Sequence, residues 1–185
     1  MKRVNCRYTF FDNLDGTGIM PGRPYLEKVS RLIASTLQYA NHYGTYAPAE
    51  LAAIADAHGP EQLAERMQNA YLALYEEDNR LLACGCMDLK DDGGIVKLLH
   101  VAEERQGQGI GGWLLDLFEE KVRYLDGRRI YAVTLNFPHA VRFYEERGYE
   151  VAGPEKYQIG NVKLPALLLK KDLASKENSE AGLAA

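Results

Sequence analysis

Apolar positions along this chain recur at two spacings, and each spacing predicts a different element. Val29, Leu32, Ile33, Thr36, Leu37 and Ala40 fall at helical spacing behind Pro24, whose fixed φ suits a first turn, so a first helix is expected there. Pro48 opens a shorter helix carrying Leu51 and Ile54, and Gly59-Pro60 ends it and starts a third around Leu63 and Met67. Ahead of these, Val4 to Phe11 reads as a first strand and Asp12 to Gly18 as a turn-rich loop. Tyr71 to Tyr75 and Leu81 to Met87 read as a hairpin, turning at Glu77-Asp78-Asn79-Arg80, and Ile95 to Val101 as a central strand after Asp91-Asp92-Gly93-Gly94. A helix is expected from Trp113, with Leu114, Leu117, Phe118, Val122 and Leu125 as its inward stripe and Asp126-Gly127 closing it. A strand to Asn136, a helix from Pro138 to Arg147-Gly148, and strands at Tyr149 to Ala152 and Val162 to Leu169 complete the order. Residues 1–173 are expected to form one domain, with 174–185 a solvated, mobile tail.

The junction between the central strand and the next helix, Gln106-Gly107-Gln108-Gly109-Ile110-Gly111-Gly112, carries the strongest chemical signal. Glycines there let the backbone turn tightly and present successive N–H groups, because no Cβ blocks a ligand's approach. The following helix adds unpaired first-turn N–H groups and a positive dipole end. A phosphate or pyrophosphate suits such a turn. A P-loop is excluded, since no Gly-Lys-Ser/Thr ends the loop. Gly107, Gly109 and Gly112 satisfy the dinucleotide fingerprint, but the next strand, Ile130 to Asn136, ends without an acidic residue for a ribose, and too little chain follows for a doubly wound sheet.

The same residues resemble the acetyl-CoA signature of the GNAT superfamily of N-acetyltransferases, Arg/Gln-x-x-Gly-x-Gly/Ala after a strand ending in valine. Gln106, Gly109 and Gly111 fall on that pattern, with Val101 upstream. A second block, Ala140-Val141-Arg142-Phe143-Tyr144-Glu145-Glu146-Arg147-Gly148-Tyr149, resembles the superfamily's A-x-x-F/L-Y-E-x-x-G-F/Y helix and strand. Two departures stand out: Gln106 occupies a position that is often Arg, and Phe137 replaces the usual Asn or Ser before the alanine, with Asn136 one place earlier. The resemblance implies an α/β (α+β) fold whose mixed, largely antiparallel central sheet is splayed between its fourth and fifth strands, with helices on both faces. It implies acetyl-CoA as cosubstrate, held by Leu99, His100, Val101, Gln106, Gly107, Gln108, Gly109, Ile110, Gly111, Gly112 and Asn136. It further implies direct attack of a primary amine on the bound thioester, the Val101 backbone N–H polarising the carbonyl and Tyr144 acting as general acid to the thiolate. A non-catalytic acyl-CoA-binding regulatory or interaction module with the same fold is the alternative. Residues 21–70 and 153–165, where the superfamily builds its acceptor pocket, carry no readable pattern.

Other residues are weighed against ordinary roles. His100 could accept a proton, but strand alternation puts it on the face opposite Val101, which favours a structural or CoA-flanking histidine. Surface or capping roles are expected for His42, His58 and His139, and Glu103 and Glu104 read as surface charge. Tyr39, Tyr43 and Tyr46 near the end of the first helix could line an acceptor pocket or simply pack.

Composition narrows the partners. The 46% hydrophobic content is that of a globular domain, and a net charge of -4 argues against nucleic acid and fits a small cationic amine better. No apolar span is long enough for a bilayer, and three cysteines with no leader-like N-terminus point to the cytoplasm. Cys84-Gly85-Cys86 lacks further ligands at metal spacing, so no metal is expected and both thiols read as small core residues. A homodimer is compatible with this composition.

Overall fold

The computed structural model describes residues 5–159 and 162–173, so Val4, the start of the expected first strand, and the expected tail lie outside the described residues. The strands are β1 (Cys6–Asp12), β2 (Ala70–Glu77), β3 (Arg80–Lys90), β4 (Gly93–Val101), β5 (Arg129–Leu135), β6 (Glu150–Ile159) and β7 (Val162–Asp172). The helices are α1 (Arg23–Ala40), α2 (Pro48–Asp56), α3 (Pro60–Arg66), α4 (Ile110–Tyr124) and α5 (Pro138–Glu145). One seven-stranded sheet runs in the order β1-β2-β3-β4-β5-β7-β6. Every neighbouring pair is antiparallel except β4 and β5.

Local chemistry explains most boundaries. Pro48, Pro60 and Pro138 each stand in a first helical turn, where the missing N–H costs nothing. Asp78 and Asn79 both take positive φ, the geometry that matches a two-residue turn to the twist of β2 and β3. Ala70 to Glu76 are all buried, as expected of a strand covered on both faces.

Helix α1 and helix α4 cover opposite faces of the sheet. A Cβ on Gly85 would strike Phe118 of α4, whereas the Cys86 thiol faces Met67 and His100 meets Thr36 of α1. Cys84 and Cys86 are core residues, and burial pushes the Cys84 thiol up to about 12, so neither is poised to react.

Several expectations need correction. Helix α4 begins at Ile110, three residues before Trp113, because Gly109 itself supplies the N-cap in a left-handed conformation. Its inward stripe includes Glu119 in place of Leu125, which is 42% exposed. The Glu119 carboxylate is 4% exposed and accepts hydrogen bonds from Lys171 (2.8 Å to each oxygen), Arg123 (3.2 Å) and Tyr149 (3.3 Å). Helix α4, strand β7 and the residue just before β6 supply its donors, so a charge that looks misplaced on a helical wheel is fully solvated by protein. Strand β6 runs to Ile159 rather than stopping at Ala152, its ladder against β7 interrupted between Val151 and Gly153.

Candidate active site

The parallel pair β4/β5 is joined only from Gly93–Arg129 to Val96–Ala132. Beyond it, Lys97 to Val101 and Val133 to Leu135 diverge, and the sheet opens. The Ala102 N–H donates to the Leu82 carbonyl (2.7 Å). Antiparallel alternation then turns the backbone N–H groups of Val101 and Leu99 away from β3 and into the opening. Lys97 is the extra residue in the β3/β4 ladder, so the bulge lies four residues before Val101 rather than at it.

Beside the opening, Gly107 (φ +72) and Gly109 (φ +84) form the turn into α4. First-turn N–H groups of Ile110, Gly111 and Gly112 point out of this helix start, with Trp113 N–H the first to bond back, to Gly109 (2.9 Å). Gly112 has a different reason to lack a side chain: a Cβ there would lie 1.5 Å from Nη2 of Arg147. The end of α5 is thereby packed onto the start of α4, and Arg147 becomes a cation at the helix N-terminus. Its guanidinium is held by exposed Asp116 (2.9 Å) and lies over the Phe143 ring.

Two clefts meet at the opening. The larger, about 890 Å³, lies on the α4 face and is lined by the glycine turn, Arg105, Thr134, Phe143 and Arg147. The smaller, about 160 Å³, lies on the α1 face and is lined by Thr36, Leu37, Tyr39, Tyr43, His100 and Tyr157 among others. Leu99, Val101, Gln106, Thr134, His139, Ala140 and Tyr144 line both. Tyr144 is 5% exposed, and among the described residues its hydroxyl makes no hydrogen bond; its ring packs on Phe143 and Tyr149. A buried phenol without a partner is costly unless something else occupies the cleft beside it. Burial holds this phenol above the ordinary tyrosine range, so it stays protonated.

Of the expected site residues, the structure brings Leu99, Val101, Gln106, Gly107, Gly109, Ile110, Gly111, Gly112 and Tyr144 to the larger cleft. Gln106 donates to the Val101 carbonyl (3.1 Å), bracing the strand end whose N–H faces the opening. Gln108 turns back to the Glu104 carbonyl (3.0 Å) and lines neither cleft. Asn136 is exposed and lines neither; its backbone N–H donates to the Tyr46 hydroxyl (2.8 Å).

His100 lies on the α1 face and lines only the smaller cleft. Thr36 spends its one hydroxyl hydrogen on the Ile33 carbonyl (2.9 Å), so the His100 Nδ1 must donate to Thr36 (2.7 Å), which leaves Nε2 as an acceptor. Burial pushes this imidazole down to about 3, so it is neutral. His42 caps α1 through Tyr39 (2.8 Å), but His58 is not on the surface. It is fully buried, caps α2 by donating to Ile54 (2.8 Å), and accepts from the Tyr157 hydroxyl (2.8 Å). Burial pushes it down to about 4.

Tyr39 and Tyr43 line the smaller cleft, whereas Tyr46 is a strut, donating to the Pro165 carbonyl (2.6 Å). Sequence reading missed Arg147, Thr134 and the Tyr157–His58 pair. Arg147 had a visible signal as a cation closing a helix, but its neighbour is set by tertiary packing.

The match to known proteins agrees with this geometry. Residues 42–165, more than half of the chain, match the acetyltransferase (GNAT) domain family. The chain belongs to this GNAT family. An uncharacterised Bacillus subtilis protein, YdhI, is 33% identical over 69 residues, covering 37% of this chain and 43% of that protein. The chain thus matches less than half the length of this curated relative. The PaiA N-acetyltransferase of Thermoplasma acidophilum, solved with coenzyme A, superposes with a TM-score of 0.69 at 13% identity, covering 93% of this chain and all of that one (100%). A GCN5-related N-acetyltransferase from Rhodopseudomonas palustris gives 0.71 at 16% identity, covering 94% and 98%. These likenesses show the fold. The sheet splayed between β4 and β5 is the GNAT sheet, as the motif resemblance implied. No helix among the described residues is long and apolar enough to cross a membrane, and among them no group of three or more His, Cys, Asp or Glu could hold a metal ion.

Proposed function

We propose that this protein transfers an acetyl group from acetyl-CoA to a primary amine by direct attack in a ternary complex. The observation that carries the reading is Tyr144, a buried, protonated phenol that has no hydrogen-bond partner among the described residues and lies where the two clefts meet. The larger cleft takes the cosubstrate: backbone N–H groups of the glycine turn and the α4 dipole receive the pyrophosphate, and Arg147 adds the charge that Gln106 lacks. The thioester carbonyl accepts from the Val101 N–H, which has no strand partner on that side. An amine entering from the smaller cleft attacks the carbonyl carbon, the C–S bond breaks, and Tyr144 hydrogen-bonds to and protonates the departing sulfur. The amine's lost proton returns to the phenol through solvent, so amine and thioester become amide and thiol. That the PaiA enzyme was solved with coenzyme A supports the choice of ligand.

The test is a thiol-release screen of acetyl-CoA against amines of several classes, with CoA affinity measured by calorimetry. Amine-dependent thiol release with stoichiometric amide is the expected result. CoA binding with no release for any amine would leave a CoA-binding module.

A further inference from the structure

The smaller cleft describes the acceptor, and the inference rests on the acetyl-transfer reading above. We infer that the acceptor is a compact monoamine whose body is uncharged and about one ring in size, an arylalkylamine or a branched alkylamine, rather than a polyamine or an acidic amino acid.

Size is the first ground. The cleft's volume of about 160 Å³ is close to that of an apolar cavity known to bind benzene, roughly 150 Å³, so one ring or a branched alkyl group fills it. Its walls are the second. Leu37, Ala40, Ile54, Leu135 and Phe137 supply apolar surface, and none of the lining residues is a carboxylate. Lys97 is the one lining residue with a formal charge, and it is paired with Asp88. An ammonium deep in this cleft would have no counter-ion, while a carboxylate would have to take Lys97 from Asp88. The aromatic residues do not form an open cage for a cation either. Tyr43 stacks on His139 at 4.0 Å, and Tyr39 meets Tyr43 edge-on at 6.2 Å.

The polar groups that remain suit a neutral amine. His100 Nε2 is an acceptor, its tautomer set by Thr36, whereas the Tyr157 hydroxyl gives its proton to His58 and its oxygen already accepts from Arg66, which leaves His100 as the acceptor for an incoming N–H. An apolar site favours the free base of an incoming amine, which is the nucleophilic form. The expectation of a cationic acceptor, drawn from the chain's net acidity, is therefore revised by the local walls.

The experiment titrates 2-phenylethylamine, spermidine and glutamate into CoA-loaded protein by calorimetry, and assays each as acceptor with acetyl-CoA. Saturable phenylethylamine binding, roughly tenfold or more tighter than spermidine or glutamate, is expected from the cost of an unpaired charge in the cleft. Ala40→Leu, which fills the cleft, should abolish amine binding and leave CoA affinity unchanged; if that variant is unstable, the ranking in the parent protein decides alone. Equal or tighter binding of spermidine or glutamate, or no amine binding up to millimolar concentrations, overturns the inference. Phenylethylamine binding without thiol release from any amine would leave the acceptor-site inference standing and overturn acetyl transfer. Preferred turnover of spermidine would do the reverse.

Discussion

Tyr144 and Arg147 lie three residues apart in the sequence, one a candidate acid and the other a helix-ending cation, and they line the same cleft. Tyr144→Phe removes the proton donor and keeps the ring that packs on Phe143 and Tyr149. General-acid catalysis contributes about 10² to 10⁴ in rate, so single-turnover acetylation should slow by that order while CoA affinity holds. A Phe variant as fast as the parent would remove Tyr144 from the mechanism. For Arg147→Ala, loss of a charge-assisted contact at a partly exposed site should weaken CoA binding roughly tenfold and flatten its salt dependence. Gln106→Ala should cost less, because that amide braces the Val101 carbonyl. Calorimetry at low and high salt compares the two. At this scale the sequence identified Tyr144 and the glycines through their motifs, but could not show that Arg147 fills the space left by the missing Cβ of Gly112.

Helix α4 joins the sheet to the larger cleft, and its two ends answer to different constraints. At the N-terminus, Gly109 has φ +84, and a Cβ there would meet nothing within 4 Å. Gly109→Asp should therefore fold, since Asp is among the residues that tolerate this conformation at a cost of about 1 kcal/mol, while its carboxylate repels pyrophosphate. A folded Gly109→Asp protein with unchanged CoA affinity by calorimetry would count against the turn as the phosphate site. Two residues past the helix middle, Glu119 ties α4 to β7 through Lys171. Glu119→Ala leaves that ammonium, Arg123 and the buried Tyr149 hydroxyl without their acceptor. The two cations are partly exposed and can regain water but the phenol cannot, so the loss should be about 3 to 5 kcal/mol by urea denaturation. Hydrophobic periodicity found α4, though with its start three residues late, and assigned Leu125 to the stripe because a period of 3.6 says nothing about where a partner cation lies.

Across the whole molecule, His58 and His100 are kept neutral by burial on the α1 face of the sheet, at about 4 and about 3. In the unfolded chain each would titrate near 6.5. Below that value the unfolded state takes up protons that the native state refuses, so folding stability is full above about pH 6.5. It falls as pH drops toward 4, by roughly 1 kcal/mol per pH unit for each histidine. Urea melts between pH 7.5 and 4.5 should show this slope, and His58→Gln should reduce it. A flat profile would mean these imidazoles take up protons in the native state. The same neutrality predicts that any rise in acetylation rate with pH follows the acceptor's ammonium and not a histidine near 6.5.

Local chemistry in the sequence determined the element order, the proline-started helices, the hairpin turn at Asp78-Asn79 and the glycine turn, because each depends on a few adjacent residues. Motif resemblance carried the splayed sheet, and the pairing of β4 with β5 over only four residue pairs agrees with it. Tertiary structure decided the rest. It joined the end of α5 to the start of α4, withdrew Asn136 and Gln108 from the clefts, and buried His58 beneath Tyr157. It also built the smaller cleft from α1, α2, β4, β5, α5 and β6, segments distant along the chain whose apolar residues look like ordinary core until the sheet opens between them. Hydrophobic pattern records which side chains leave water, and only the assembled fold determines which of them face one another across a space left for a ligand.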